Sequence, residues 1–207
     1  MKGRARAVLA AAAFAAAPPA FAEDVDCPGG SERREVTADG VRKVWCARGD
    51  GVQNGPSISY GAGGERMALA TFRDGELDGD YREWHPNGAV ALEVEYRNGK
   101  KQGVEKRYDE QGRKLVEMPW QDGRESGTAR SWYPSGKKEA EMAWKSGKLD
   151  GPSTAWHENG AKRAEGAFRA GAREGTWTAW RADGSKERQA EFASGREVSR
   201  QEFPPAP

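Results

Sequence analysis

The chain has 207 residues, enough for one or two domains, and its 33 basic and 32 acidic side chains leave a net charge of +1. Leu, Ile, Val and Phe together number only 24, which points toward disorder unless the 27 glycines and eight tryptophans follow a structural pattern. The balanced charge gives no basis for a nucleic-acid-binding surface, and no apolar run reaches the ~18 residues of a membrane-spanning helix.

The first 22 residues have the layout of a bacterial-type secretory signal peptide. A basic start (2–6) precedes an apolar stretch (7–17), and Ala20-Phe21-Ala22 supplies the small-x-small cleavage pattern. Cleavage after Ala22 leaves a mature chain that starts at Glu23, with a net charge of 30 minus 32, or −2. Cys27 lies too far from the cut for a lipid anchor. We therefore expect a soluble periplasmic or secreted protein with no transmembrane segment in the mature chain, and an uncut N-terminal anchor is the alternative.

Cys27 and Cys46 are the only cysteines. In an oxidising compartment such a lone pair most often forms one disulfide, here closing a loop of about 20 residues. A redox-active pair would have the spacing C-x-x-C, and a zinc site would need more ligands than the two cysteines and two distant histidines provide. The pair therefore predicts a structural disulfide.

A period of 24 residues governs the chain from Gly51 to Gly195. We number positions from the glycine that opens each unit, as offset 0. Glycine also stands at offsets 4 and 13 in all six units, and aromatic residues stand at offsets 9 and 21. The offset-9 ladder is Tyr60, Trp84, Tyr108, Trp132, Trp156 and Trp180, and the offset-21 ladder is Phe72, Tyr96, Trp120, Trp144, Phe168 and Phe192. Because aromatic side chains bury a large area each, these ladders compensate for the missing aliphatic residues.

The spacing predicts two β-strands per unit, joined by turns at offset 13 and at each unit boundary. Pro86-Asn87-Gly88 is typical of the first turn and Asn98-Gly99 of the second, because glycine accepts the positive φ that tight hairpins require. Glu93-Val94-Glu95-Tyr96 alternates with period two, so one face should carry offsets 17, 19 and 21 and the other face charge. Pro119, in the middle of a strand, predicts a local irregularity. The fold class is an all-β, single-sheet meander of antiparallel hairpins with very little helix.

The two ends depart from the period. Counting back from Gly51 gives a degenerate unit over 23–50, in which Cys46 takes offset 19, the column of Val94, Met118 and Met142. A disulfide there would cap the array. Ser199 replaces the expected glycine, and prolines follow. We therefore predict a signal peptide over 1–22, a capping unit over 23–50, a repeat array over 51–198 and a Pro-rich tail over 199–207.

The repeating unit resembles the MORN-repeat variant found in many bacterial proteins. The resemblance rests on stretches such as 98–103, 147–152 and 156–160, and it covers 51–195 strongly and 27–50 weakly. It implies an interaction or scaffolding module, because MORN-type arrays are generally described as such, with lipid binding proposed for some. Bacterial variants are often labelled antitoxins, and an exported chain would fit an envelope immunity protein better than a cytoplasmic antitoxin.

No catalytic, metal or cofactor site is predicted. His85 and His157 share offset 10 but lie three units apart, which is about 29 Å along the sheet. The chain has no G-x-S-x-G, P-loop or H-E-x-x-H motif. The aspartates of Asp78-Gly79-Asp80 are too few for a calcium loop. We expect a protein that is not an enzyme.

Aromatic residues outside the ladders predict where a ligand would bind. Tyr81 and Trp177 share offset 6, on the face opposite offsets 5, 7 and 9, and with His85, Tyr133 and His157 they could line an exposed binding stripe. The alternative is that they only shield a thin sheet. The expected partner is another envelope protein, and a cell-wall glycan or anionic lipid is the alternative.

Overall fold

The computed structural model describes residues 25–205, and the predicted signal peptide lies outside them. These residues form one antiparallel sheet in which consecutive strands pair, except that the two-residue β9 and the following β10 both pair with β8. The strands are β1 (Ser31–Ala38), β2 (Val41–Arg48), β3 (Gln53–Tyr60), β4 (Arg66–Arg73), β5 (Glu76–Trp84), β6 (Val90–Arg97), β7 (Lys100–Tyr108), β8 (Lys114–Gln121), β9 (Arg124–Glu125), β10 (Gly127–Trp132), β11 (Lys138–Lys145), β12 (Lys148–Trp156), β13 (Lys162–Arg169), β14 (Ala172–Trp180), β15 (Lys186–Ala193) and β16 (Arg196–Glu202). The predicted single-sheet meander is confirmed. Among residues 25–205 there is no helix of the length and apolarity needed to cross a membrane.

Two kinds of turn alternate along the sheet. At each unit boundary from Gly75 to Gly195, two residues with positive φ join the strands, as Asn98 (48°) and Gly99 (71°) do. Within each unit a longer turn begins at offset 10, and there the amide of Gly88 donates to the carbonyl of His85 over 2.9 Å. Both predicted turn positions are confirmed, and the pair of positive φ angles belongs to the boundary turns.

The two faces of the sheet differ as predicted. Tyr81 pairs with Val94, which places offset 6 on the face of offsets 17, 19 and 21, and we call this the apolar face. Arg82 pairs with Glu93, so offsets 7 and 18 share the other face, which we call the charged face. The offset-9 aromatics lie on the charged face, because strand residues two apart point the same way.

The glycine at offset 4 forms a bulge. Gly79 has a φ of 124°, and residues 78–80 on β5 lie opposite Thr71 alone on β4. A Cβ atom on Gly79 would lie 3.0 Å from the Cβ of Thr71. Glycine therefore serves both the backbone conformation and the close approach of the two strands.

The irregularity predicted at Pro119 is confirmed. Opposite it, the first strand of the unit is divided into β9 and β10 at Ser126, whose amide donates to the carbonyl of Pro119 over 3.0 Å. Proline has no amide hydrogen to donate, so it weakens regular pairing at its own position.

The predicted disulfide between Cys27 and Cys46 is present, but Cys46 does not occupy the column of Val94. The boundary turn at Gly51 contains one residue more than the later ones, which shifts β2 by one position. Ala70, at offset 19, pairs with Tyr81 at offset 6 of the next unit. Trp45 pairs with Ser57, which is also at offset 6, so Trp45 takes the offset-19 column on the apolar face. Cys46 therefore lies on the charged face.

The segment 25–30 covers the charged face at this end. Val25 packs against a small core of Val44, Ile58 and Tyr60, and the disulfide ties the segment down. All three core residues are at most 5% exposed. This segment belongs to the degenerate first unit, for which a capping role is predicted.

The sheet continues past residue 198, where the array was predicted to end. β16 runs to Glu202, which pairs with Arg188. Ser199 stands in place of the offset-4 glycine. The bulge of the other units, where three residues lie opposite one, is therefore replaced by a single-residue bulge at Val198, and the register shifts by one. Phe203 consequently takes the offset-9 position, so it belongs to that ladder, which the sequence analysis did not predict.

Candidate binding surface

Cations cover the rings of the offset-9 ladder on the charged face, except that of Tyr108, where the preceding hairpin carries Val90 at offset 15. A Lys or Arg from the preceding hairpin lies over the ring, for example with the Lys114 Nζ atom 4.5 Å from the Trp132 ring centroid. The other pairs of this kind are Arg42–Tyr60, Arg66–Trp84, Lys138–Trp156, Lys162–Trp180 and Lys186–Phe203. Cation–π contacts of this geometry are favourable, and they leave these ring faces unavailable to a ligand.

Carboxylates at offset 18 pair with three of these cations, Lys114, Lys138 and Lys162. The Lys138 Nζ atom lies 2.9 Å from Glu141 Oε1, and Lys162 Nζ lies 2.7 Å from Glu165 Oε2. The hydrogen bond from Lys138, together with one from Arg130, outweighs partial burial and lowers the pKa of Glu141 below its ordinary value. Each hairpin is thereby tied to the next through its side chains.

The apolar face carries the offset-21 ladder and the two aromatics at offset 6. The Tyr81 ring meets Tyr96 edge-to-face at 5.7 Å between centroids. Burial and the neighbouring Glu83, which accepts a hydrogen bond from the Tyr81 hydroxyl over 2.6 Å, raise the pKa of Tyr81 far above its ordinary value. Lys101 covers the Trp120 ring at 4.6 Å.

Trp177 is packed into this face. Its ring lies edge-to-face with Phe168 at 4.9 Å, and its Nε1 donates to the carbonyl of Ala167 over 3.0 Å. A Cβ atom on Gly166 would approach the ring to 2.2 Å, so the glycine makes room for the indole. A glycine at offset 19 in the unit before a tryptophan at offset 6 is the sequence signal that predicts this packing.

A buried carboxylate stands in the middle of the apolar face. Glu105 is 2% exposed, and its two oxygens accept hydrogen bonds from Lys101 Nζ (2.5 Å) and Arg107 Nε (2.6 Å). Burial alone would raise its pKa, but the hydrogen bonds and charges of Lys101 and Arg107 prevail, and the pKa of Glu105 lies below its ordinary value. The repeat pattern does not predict this centre.

Between Glu105 and Trp177 the apolar face is a floor of small side chains. The cross-strand pairs here are Ala140 with Ala155, Ala155 with Ala164, and Ser153 with Gly166. We call the residues Ala129, Ala140, Ser153, Ala155 and Ala164 the small-residue floor. Larger side chains stand at both ends of the floor, at Glu105 and Trp177, and Met142 lies within it, paired with Ala129 and with Ser153.

The five residues of the predicted binding stripe do not form one exposed row. Tyr81 and Trp177 lie in mid-strand, whereas His85, Tyr133 and His157 begin within-unit turns, and all five are half-buried. The three turn residues donate to the carbonyl of the next unit's offset-9 residue, over 2.9 Å, 2.7 Å and 2.8 Å respectively. These hydrogen bonds join neighbouring hairpins. A ligand-binding role for the five remains a prediction.

Within residues 25–205 no cluster of three or more His, Cys, Asp or Glu side chains has the arrangement of a metal site. Residues 77–98 match the family model described as the MORN repeat variant. The matched stretch falls inside the unit that runs from Gly75 to Asn98, and the strand–turn–strand geometry of that unit recurs along the sheet. No curated protein matches the chain.

Proposed function

We propose that this chain, which contains a MORN repeat variant at residues 77–98, is a non-enzymatic, exported module that binds another protein of the cell envelope. The binding surface in this proposal is the apolar face, centred on the small-residue floor. The disulfide supports an extracytoplasmic location, because such bonds persist in oxidising compartments.

The observation that carries the proposal is the difference in cover between the two ends of the sheet. At residues 25–60 a segment of the chain lies across one face and buries a core. Over the small-residue floor no described segment of the chain covers the alanines, which are only half-buried apart from Ala129. Contiguous exposed apolar area on a soluble protein commonly marks an interaction site.

The chemistry of this face favours a protein partner over a sugar polymer. Sugar binding by stacking needs free aromatic ring faces, but Lys101 covers Trp120, and Trp177 is packed against Phe168. A surface of alanine, serine and Met142 beside a charged centre instead resembles the mixed apolar and polar surface of protein interfaces.

The test is affinity capture from the native envelope, followed by a binding measurement with the purified partner. Ala155→Lys places a long charged side chain on the floor and is expected to weaken binding about tenfold or more. Thr154→Lys is the matched control, since it adds the same charge one residue away on the charged face, opposite Glu165. Circular dichroism should show the same sheet in both variants.

The outcomes separate the alternatives. A partner that binds wild type and Thr154→Lys but not Ala155→Lys supports the proposal. If the captured protein is toxic when expressed alone and harmless when co-expressed with this chain, the chain acts as an immunity protein, which is a special case of the same binding function. Co-sedimentation with purified cell wall or lipid, without a protein partner, overturns the proposal in favour of a ligand-binding module.

A further inference from the structure

One long edge of the sheet carries a row of cations. Each boundary turn comprises offsets 22 and 23 of one unit and offsets 0 and 1 of the next. The five boundary turns between residues 97 and 196 contain seven basic side chains and one acidic side chain, Asp122. We call this row the boundary edge, and its members are Arg97, Lys100, Arg124, Lys145, Lys148, Arg169 and Arg196. All seven are exposed.

Among residues 25–205, six of these seven cations have no carboxylate within ion-pair distance. The seventh, Arg97, approaches the carboxylate of Glu95 at 3.6 Å. At the start of the same edge, by contrast, Arg48 pairs with Asp74 at 2.5 Å and Arg73 with Asp78 at 3.3 Å. The cations at offset 15, near the opposite edge, lie over aromatic rings. The charge of the boundary edge is therefore available for a ligand.

Nearby acidic side chains lie beside the row and reduce its net charge, but most of them are less exposed than its cations. Asp150 accepts a hydrogen bond from the amide of Ala170 over 3.0 Å, and Glu174 accepts one from Ser194 over 2.9 Å. Asp122 accepts one from the Gln102 amide over 2.8 Å. These carboxylates keep their negative charge while they bond to the turns, and Asp150 and Glu174 are half-buried whereas the seven cations are exposed.

We propose that the boundary edge binds an extended, acidic polypeptide segment that lies across the turns. Successive units are two strands apart, about 9.6 Å, which is the length of about three residues of extended chain. From β6 to β16 the row extends about 43 Å along the sheet. A segment with an Asp or Glu at about every third residue would meet a cation at nearly every turn.

The composition of the turns favours an acidic peptide over a membrane or a nucleic acid. The turn residues besides the cations are Gly, Asn, Gln, Asp, Ser and Ala, as in Lys145-Ser146-Gly147-Lys148. None is an aromatic or long aliphatic residue of the kind that anchors proteins in a bilayer interface. Stacking of unpaired bases likewise needs aromatic side chains. The boundary edge shares no residue with the small-residue floor, so it stands apart from the proposed function.

The experiment measures binding of poly-L-glutamate to the purified chain with its disulfide formed, at low ionic strength and over a salt series. Lys148→Gln/Arg169→Gln is expected to weaken binding about fivefold, because each lost cation removes a fraction of a kcal/mol. Lys137→Gln/Arg163→Gln is the matched control. It removes two exposed cations from the opposite edge and should change the dissociation constant less than about twofold.

Each outcome decides the proposal. A loss confined to the boundary-edge variant, which disappears as salt screens the charges, supports it. An equal loss in both variants assigns the effect to net charge and overturns the proposal, as does the absence of binding to poly-L-glutamate. Vesicles with phosphatidylglycerol and single-stranded poly(dT) serve as comparison probes. Tighter boundary-edge-dependent binding to either one overturns the choice of an acidic peptide.

Discussion

The first three strands and the remaining strands stabilise a one-layer sheet in different ways. Over residues 25–60 the chain supplies its own second layer, since Val25 and the disulfide cover the charged face and bury Val44, Ile58 and Tyr60. From β4 onward, side chains on the sheet itself provide the cover. Lysines lie over rings, carboxylates hold the lysines, and Trp177 lies over Gly166.

This difference shows how a chain with so few aliphatic residues builds a stable sheet. The covered end depends on one cross-link and a few well-buried residues. The open array depends on many modest contacts, each between adjacent hairpins. In repeat proteins each unit contacts only its neighbours, so damage should remain local in either region.

The largest expected effect comes from breaking the cover of the first region. Cys27→Ala/Cys46→Ala removes a cross-link over a loop of about 20 residues, and we expect a loss of about 3 kcal/mol in the free energy of unfolding. Denaturant unfolding measures the loss, and hydrogen exchange locates it. Exchange should accelerate in β1–β3 and remain unchanged in β12–β15.

Reduction of the wild-type disulfide serves as the control, because it breaks the cross-link without changing the sequence. It should reproduce the exchange pattern of the double variant. Equal acceleration throughout the sheet would contradict the local character of the two regions and would mean that the array unfolds as one unit.

A second prediction tests the charged centre of the open array. Glu105→Gln leaves Lys101 and Arg107 without their carboxylate, and we expect a loss of about 2 kcal/mol at neutral pH. The pKa of the Glu105 carboxyl is lower in the folded chain than in the unfolded chain, so the unfolded chain binds the proton of this carboxyl more tightly. The stabilisation by Glu105 is therefore present above about pH 4.5, the ordinary value, and is lost as the pH falls through the folded pKa. Urea unfolding from pH 7 to pH 3 measures this dependence.

The comparison variant is Glu110→Gln, which changes the same charge in the exposed turn after β7. Its stability should follow the wild-type pH dependence, whereas that of Glu105→Gln should be flatter at acidic pH. Identical profiles for the two variants would show that Glu105 contributes nothing specific to the array.

Much of the architecture is predictable from the sequence because it follows from a period. The glycines at offsets 0, 4 and 13 predict the turns, and alternation in Glu93-Val94-Glu95-Tyr96 predicts which face is apolar. The disulfide follows from a lone pair of cysteines behind a predicted export signal. These features depend on residue spacing alone, which is visible in one sequence.

Other features depend on geometry that spacing does not reveal. One additional residue in the turn at Gly51 moves Trp45 into the column predicted for Cys46, and a narrower bulge at Val198 brings Phe203 into the offset-9 ladder. The hydrogen bonds from His85 and His157 to the next unit's carbonyls have no sequence signature, since other residue types share offset 10. The turn has one residue more and the bulge one residue fewer than in the other units, and each change shifts the columns of the residues on one side of it.

The smallest predicted effect separates the cations that serve the sheet from those of the boundary edge. Lys138→Gln loses the contact with the Trp156 ring and the ion pair with Glu141, and we expect a loss of about 1 kcal/mol. Lys148→Gln removes an equally exposed cation that has no such partners, so its effect on the free energy of unfolding should be under about 0.5 kcal/mol. Chemical denaturation at low and high salt measures both. Equal losses would mean that cation–ring contacts do not stabilise the array, whereas the expected difference leaves Lys148 as a charge that can be altered to test binding without altering the fold.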